Sequence, residues 1–233
     1  MSDGANWSGS DGITQLFLQQ LLLTITALAI SVVVGLPLAL WLGHLGRGGT
    51  LAINVTNIGR AIPTFAVLVI LSVGPAGTAV LGPYGRAGLA TLIALVLFAL
   101  PPIITNGYVA MREVPDDVRE AARGMGMRGG QSFRRVELPL AAPLVVAGIR
   151  LALVQVWATA TIAALVAGPG LGQIITDGFY HSNYGKGFAG AIVVGAVALV
   201  LEVGAAWVQR LADPMRRPRR NERTPNIAIV GAG

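Results

Sequence analysis

Residues 120–143 read EAARGMGMRGGQSFRRVELPLAAP and form a charged, glycine-broken stretch in the middle of an apolar chain. Residues 87–111 before it and residues 151–176 after it contain no Asp, Glu, Lys or Arg. A chain built for lipid has no use for such a stretch inside the bilayer, so it belongs at a membrane surface. What it does there depends on the flanking runs.

The 233-residue chain is 54% hydrophobic and only 12% charged, with a mean hydropathy of +0.67. A soluble domain of this length needs a more highly charged surface. Runs of about 20 apolar residues can cross a bilayer as helices, and these are too long and uniform to be barrel strands. The sequence therefore predicts an all-α integral membrane protein with five transmembrane helices. The predicted spans are 17–43, 61–81, 87–111, 140–166 and 187–209.

The basic residues predict the orientation of the spans. With the N-terminus outside, all but three of the 17 Lys and Arg residues lie on the cytoplasmic side, in agreement with the positive-inside rule. Only Arg86 and Lys186 lie outside, and Arg150 lies within a span. We therefore predict an N-out, C-in topology. The predicted domains are an extracytoplasmic tail (1–16), a transmembrane domain (17–213) and a basic, flexible cytoplasmic tail (214–233).

Several classes of protein and site are disfavoured by composition. The N-terminus has no basic region and the first apolar run is too long for a signal peptide, so cleavage is not expected. The chain has no cysteine, which excludes disulfides and thiolate metal sites, and with two histidines a histidine metal site is not expected. The net charge of +6 follows the topology of the spans, so no nucleic-acid partner is expected.

Residues 112–139, here called the mid-chain segment, predict two short helical pieces. The first begins after a proline and ends at glycines, and the second ends where Pro139 starts the next span. A compact pair of helices at a membrane surface suits the docking of a soluble partner, because it transmits a rigid-body motion into the bundle. The residues that bound the first helix are Pro115, Asp116 or Asp117 as N-cap, Gly124 and Gly126.

The spacing within the mid-chain segment resembles the EAA signature of permease subunits of bacterial ABC importers. Glu120-Ala121-Ala122 is followed by three residues and Gly126, and nine residues later by Val136-Glu137-Leu138-Pro139. The resemblance implies that this segment is a coupling helix seated in a groove of an ATP-hydrolysing subunit. In that role Ala121 and Ala122 form a small contact face, Gly126 permits a turn, Glu120 offers a charge to the partner, and Leu138 and Pro139 complete the signature.

The resemblance extends over residues 18–213, including "IPTFAVLVIL" and "ATATIAALVAGPGLGQII", and is strongest to the osmoprotectant subgroup. It implies the type I importer permease core in a bacterial cell membrane, a second permease chain (identical or homologous), two ATP-binding subunits and an extracytoplasmic substrate-binding protein. The implied solute is glycine betaine, choline or carnitine, with an amino acid or a sulfur-bearing betaine as alternatives. No catalytic residue is expected, and ATP with magnesium would bind the partner, since GxxxxGK[ST] is absent. A passive channel is the alternative from another class.

Two ionisable residues, Arg150 and Glu202, lie within predicted spans. Counted from the cytoplasmic boundary at 1.5 Å per residue, both lie at a depth of roughly 10–13 Å. An unpaired charge there costs at least about 2.5–3.5 kcal/mol, so we predict that they form an ion pair that braces the bundle.

The outer loop between the last two spans supplies the aromatic residues Phe179, Tyr180 and Tyr184. They are candidates for an outer gate or a docking surface for a binding protein, or they form an ordinary aromatic belt at the interface. Trp157, Thr159 and Thr161 either face a pathway or pack inside the bundle.

Overall fold

The computed structural model describes residues 12–49, 54, 58–59 and 61–211, and helices make up most of this part. The α-helices are α1 (Ile13–Leu45), α2 (Thr64–Val73), α3 (Pro75–Thr78), α4 (Gly88–Arg112), α5 (Asp116–Gly124), α6 (Gly129–Ser132), α7 (Leu138–Ala163), α8 (Gly172–Tyr180) and α9 (Tyr184–Leu211). A π-helical turn at Phe133–Glu137 joins α6 to α7, and 3-10 turns occur at Gly82–Tyr84 and Ala164–Val166.

Within the described residues, four helices are long and apolar enough to cross a membrane: α1, α4, the continuous helix Gly129–Val166 and α9. The helix α1 begins at Ile13, four residues before the predicted start of the first span, and the predicted domain bounds stay a prediction. Gly12 has the extended backbone conformation of an N-cap residue, and the helix begins at the next residue. The remaining predicted tail residues and the predicted basic tail 214–233 lie outside the described residues.

The second predicted span is wrong as a single helix over residues 61–81. The helix α2 has only ten residues, about 15 Å, and ends at Gly74, which is extended with φ −79° and ψ −176°. Pro75 then starts α3, because a proline cannot donate the helical hydrogen bond and disfavours helical geometry in the residue before it. The count of five spans therefore stays a prediction.

The core lies between α1, α4 and α7. A Cβ at Gly35 would lie 2.9 Å from Leu100, and one at Gly43 would lie 2.6 Å from Met111, so α1 and α4 run parallel in close contact. Helix α7 runs antiparallel to α4. The central buried cluster consists of Leu23, Ala27, Leu95, Ala99, Ile103, Ala152, Val156 and Ala160.

The connection from α1 to α4 has to return across the bundle, since the two helices are parallel. A Cβ at Gly49 would lie 2.6 Å from the Tyr108 hydroxyl, near the end of α4, and one at Gly59 would lie 2.6 Å from Pro101, near its middle. Farther along, the connection packs on the start of α4, where the Ala87 N–H donates to the Gly77 carbonyl at 3.2 Å. The described residues of the connection therefore lie beside α4, first near its end, then near its middle and finally at its start.

The bundle has two distinct ends. The mid-chain segment and the C-terminal end of α1 lie at one, here called the mid-chain end; the start of α1 and α8 lie at the other, the far end. At the far end, Gln20 Nε2 donates to Thr161 Oγ1 at 3.0 Å, and Gln20 Oε1 accepts from the Leu171 N–H at 2.8 Å. Gln20 is fully buried, so these bonds satisfy its amide and fix the loop before α8.

Candidate coupling site

Helix α5 carries the first half of the signature at the mid-chain end. Pro115 occupies the N-cap position, so the predicted cap at Asp116 or Asp117 is wrong by one or two residues. Those carboxylates instead lie in the first turn, where the helix dipole favours negative charge. The helix ends before Gly126, whose φ of +79° is the left-handed conformation that glycine adopts without strain.

The signature residues of α5 divide between two faces. Glu120 and Ala121 are exposed, and Gly126 beyond the helix end is exposed as well. Ala122 is buried against the bundle, which differs from the predicted contact face that paired it with Ala121. Near the start of α7, Pro139 is exposed and Leu138 is half-buried. The exposed side of α5 therefore offers a partner the small side chain of Ala121 beside the charge of Glu120.

A buried carboxylate, that of Glu137, anchors the mid-chain segment to the helix bundle. Its side chain is 3% exposed, and its Oε2 lies 2.7 Å from His44 Nδ1 at the end of α1. Ser132 Oγ donates to the other carboxylate oxygen at 2.9 Å. The His44 ring also packs edge-on against Phe133, with ring centroids 5.2 Å apart. Glu137 thus joins the end of α1 to the start of the long helix that contains α7.

Arg119 brings α5 to the same carboxylate. Its Nε lies 3.8 Å from Glu137 Oε2, and its other guanidinium nitrogens donate to the Met111 carbonyl and to Asp116 Oδ1. Arg119 is 9% exposed, so its charge is held by these contacts rather than by water. We call His44, Arg119, Ser132 and Glu137 the anchor cluster. It connects α1, α4, α5 and the long helix.

The anchor cluster was not predicted from the sequence. The charge predicted to act in the segment was that of Glu120, whereas Glu137 occupies the signature position that accepts any residue. The available signal was a single acidic residue between Val136 and Leu138, immediately before a spanning helix. When such a carboxylate is buried, leaving it unpaired costs free energy. A buried position for Glu137 therefore requires a polar or positively charged partner.

The second helical piece does not end at Pro139. The chain is helical without interruption from Gly129 to Val166, and it passes the proline through the π-helical turn Phe133–Glu137. Within this turn the Leu138 N–H donates to the Phe133 carbonyl, one residue farther back than in an α-helix. This shift accommodates the proline, which has no N–H and crowds the carbonyl four residues before it.

Arg150 and Glu202 form the predicted ion pair between α7 and α9. Arg150 Nε donates to Glu202 Oε1 at 2.9 Å, a second guanidinium nitrogen reaches the same oxygen, and Nη1 donates to Gln209 Oε1 at 2.9 Å. Both charged side chains are about one-third exposed in the single chain. The pair and Gln209 therefore fasten the last helix to α7 near the mid-chain end.

Residues 13–218 match the sequence family described as "Binding-protein-dependent transport system inner membrane component". The chain belongs to this family. It is the permease subunit of an ABC importer, a multi-pass protein of the inner membrane.

Curated relatives of the permease resemble it over most of their length. It is 30% identical to the choline transport system permease protein OpuBB of Bacillus subtilis, over 88% of this chain and 90% of that protein. It is 30% identical to the glycine betaine/carnitine/choline transport system permease protein OpuCD of the same organism, over 94% of this chain and 92% of that protein. It is 32% identical to the osmoprotectant import permease protein OsmY of Salmonella typhimurium, over 84% and 80%.

A solved structure has the same fold as the permease. A chain of the MetNI methionine ABC transporter in an inward-facing conformation superposes with a TM-score of 0.72 at 23% identity, covering 91% of this chain and 99% of that chain. The fold class predicted from sequence, an all-α type I importer permease, is confirmed.

At the far end of the permease, the three predicted aromatic residues are exposed together. Tyr180 is 91% exposed, and Phe179 and Tyr184 form an edge-on pair with ring centroids 6.0 Å apart. Their role as a gate, a docking surface or an interfacial belt stays a prediction.

Three polar or aromatic residues considered for the pathway pack within the chain. Trp157 is buried and donates its indole N–H to the Val194 carbonyl at 3.2 Å, and Thr159 is buried as well. Thr161 is bonded to Gln20. In the described part of the chain, no group of three or more His, Asp or Glu side chains is placed to hold a metal ion.

Proposed function

We propose that this permease forms the translocation pathway of an importer for a small quaternary amine such as glycine betaine, choline or carnitine. The observation that carries the proposal is that three relatives at 30–32% identity, matched over at least four-fifths of their length, are named for these solutes or for osmoprotectants. An extracytoplasmic binding protein delivers the solute to the far end, where the exposed aromatic residues offer faces suited to a methylated cation.

The mid-chain segment is the proposed contact with an ATP-binding subunit. Glu120, Ala121 and Gly126 are exposed on it, while Arg119 and Glu137 hold it to the bundle from the opposite side. A displacement of this face is therefore transmitted to three helices. It passes to α1 through His44, to α4 through the Met111 carbonyl and to α7 through the continuous helix. The permease needs no chemistry of its own for this step.

The proposed complex contains two permease chains, identical or homologous, and two ATP-binding subunits that bind and hydrolyse ATP with magnesium. Closure of the ATP-binding subunits moves the two mid-chain segments together and switches the cavity between the permease chains from inward-facing to outward-facing. The binding protein then releases its solute into that cavity. This arrangement makes transport dependent on nucleotide, which separates it from the alternative of a passive channel.

Reconstituted vesicles test the proposal. We expect radiolabelled glycine betaine, choline or carnitine to accumulate only when the ATP-binding subunit, ATP, magnesium and the binding protein are all present. Equilibrium flux through the permease alone would identify a channel. ATP-dependent uptake of an amino acid or a sulfur-bearing betaine, with no quaternary amine transported, would keep the importer and overturn the solute class. A binding assay on the purified binding protein reports the solute independently.

A further inference from the structure

A groove of about 1190 Å³ opens at the mid-chain end, between the second half of α1 and residues 128–138. One wall is an apolar stripe of α1 that includes Val33, Leu36 and Trp41. The rim on the other side carries Arg128, Arg134 and Arg135, and no acidic side chain lines the groove. An apolar wall under a positively charged rim is the arrangement that an amphipathic anion requires.

The length of the wall favours an occupant from the lipid phase. From His44 at the rim to Val33 the stripe covers twelve residues of helix, a rise of about 16 Å, which is half of the roughly 30 Å hydrocarbon core. Val33 is 72% exposed, although it lies deep in this spanning helix. A soluble partner confined to water reaches the rim but not this depth, whereas an acyl chain fits the wall along its whole length.

The charges on the rim have no partner within the described residues. Arg128, Arg134 and Arg135 are exposed, and the ion pairs of the described part of the chain involve other residues. Guanidinium groups bind phosphate oxygens in a bidentate manner, and each basic residue near an anionic leaflet adds a favourable contribution. Trp41 lies one turn from the rim and is exposed, at the depth where indole rings prefer the interface.

We infer that this groove binds an anionic phospholipid from the leaflet on the mid-chain side. The phosphate contacts the three rim arginines, and one acyl chain lies along α1 from Trp41 towards Val33. The inference does not depend on the identity of the transported solute. The three rim arginines belong to the mid-chain segment, so the test below also follows the ATP-binding subunit. The lipid would bridge α1 and the π-helical turn that carries Glu137, and it would thereby brace the anchor cluster from the bilayer side.

Lipid titration of the purified permease complex tests the inference. The complex is mixed in detergent with phosphatidylglycerol or phosphatidylcholine, and bound lipid is counted by native mass spectrometry. We expect wild type to bind phosphatidylglycerol at least about tenfold more tightly than phosphatidylcholine, because at least two arginines contribute. The double variant Arg134→Gln/Arg135→Gln should lose this preference. Arg123→Gln removes an exposed arginine outside the groove and should keep it.

Further variants make the result decisive. Arg134→Lys/Arg135→Lys keeps the charge, so it should retain most of the preference while showing that the complex assembles. Equal binding of the two lipids by wild type, or an unchanged preference in Arg134→Gln/Arg135→Gln, would overturn the inference. Loss of the ATP-binding subunit or of the second permease chain from that variant, with lipid binding intact, would assign the groove to a protein partner and overturn it as well.

Discussion

The buried carboxylate of Glu137 holds the mid-chain segment in place through its contacts at the mid-chain end. A carboxylate that is 3% exposed is costly unless it is paired, and Glu137 has contacts to His44, Ser132 and Arg119. Glu120 in the same signature is exposed and has no such contacts to lose. The two glutamates therefore have different tasks: one holds the segment, and the other is available to a partner.

Glu137→Ala should destabilise the permease, because it removes the partner of His44 and Ser132 and leaves the buried Arg119 with only the exposed carboxylate of Asp116. We expect a loss of about 3 kcal/mol, which corresponds to a decrease in Tm of roughly 6–12 °C. Thermal unfolding of the purified permease, followed by tryptophan fluorescence, measures it. Glu120→Ala is the matched control and should leave the Tm within about 2 °C. Equal Tm values for the two variants would contradict the anchoring role of Glu137.

Gly126→Asp should abolish association with the ATP-binding subunit while leaving membrane insertion intact. A Cβ at Gly126 meets nothing within 4 Å, so the cost comes from its φ of +79° and from the added charge rather than from a clash. Gly124→Ala is the matched control, since Gly124 also faces open space but lies in a helix, where alanine is favoured. Co-purification measures both variants. A Gly126→Asp permease that retains its partner and full ATP-coupled uptake would refute the coupling assignment.

The residues of the coupling site were only partly predictable from sequence. The spacing from Glu120 to Pro139 identified the segment, and Gly126 was assigned to a turn that its φ confirms. The anchor cluster was not predictable in the same way, because Glu137 and His44 are 93 residues apart and local patterns carry no information on such a contact. The burial of Ala122 away from Ala121 likewise depends on how α5 docks on the bundle.

Among the helices, the long spans were predicted from hydropathy. The predicted helix ends were wrong near prolines and glycines, where backbone geometry rather than hydropathy determines whether the helix continues. Residues 61–81 contain no charged residue, yet Gly74 and Pro75 break them into α2 and α3. Before Pro139 the opposite error occurred, because the expected break is a π-helical turn within one continuous helix. In both places the fate of the backbone hydrogen bonds is set by packing against neighbouring helices, which composition does not report.

The contact between α7 and α9 depends on Arg150 and Glu202 as a pair. Arg150→Met alone leaves Glu202 without its partner in a spanning helix, which should lower the thermal stability of the permease and reduce assembly of the complex. The double variant Arg150→Met/Glu202→Leu removes both charges and should recover most of that loss. Yield and thermal stability of the purified complex complete this double-mutant cycle. Strictly additive effects of the two substitutions would exclude a bracing interaction.

In the whole molecule, the parallel arrangement of α1 and α4 determines how the chain must connect them. Both helices run from the far end to the mid-chain end, so the connection between them must return to the far end. Its described residues lie beside α4, and they include α2, a helix of ten residues. The four long helices together with this return place the start of α1 and the end of α9 at opposite ends, as the arginine distribution predicts.

Single-cysteine labelling tests this topology directly, because the natural chain contains no cysteine. Arg47→Cys and Met125→Cys lie at exposed positions of the mid-chain end and should react with a membrane-impermeant maleimide only in inside-out vesicles. Pro83→Cys and Tyr180→Cys lie at exposed positions of the far end and should react only from the outside of intact cells or spheroplasts. The pair at positions 47 and 83 decides whether the broken connection crosses the bilayer: labelling of both from one side would remove that crossing. Labelling of Met125→Cys from outside would place the mid-chain segment beyond the reach of any cytoplasmic ATP-binding subunit, and the coupling mechanism would then be wrong.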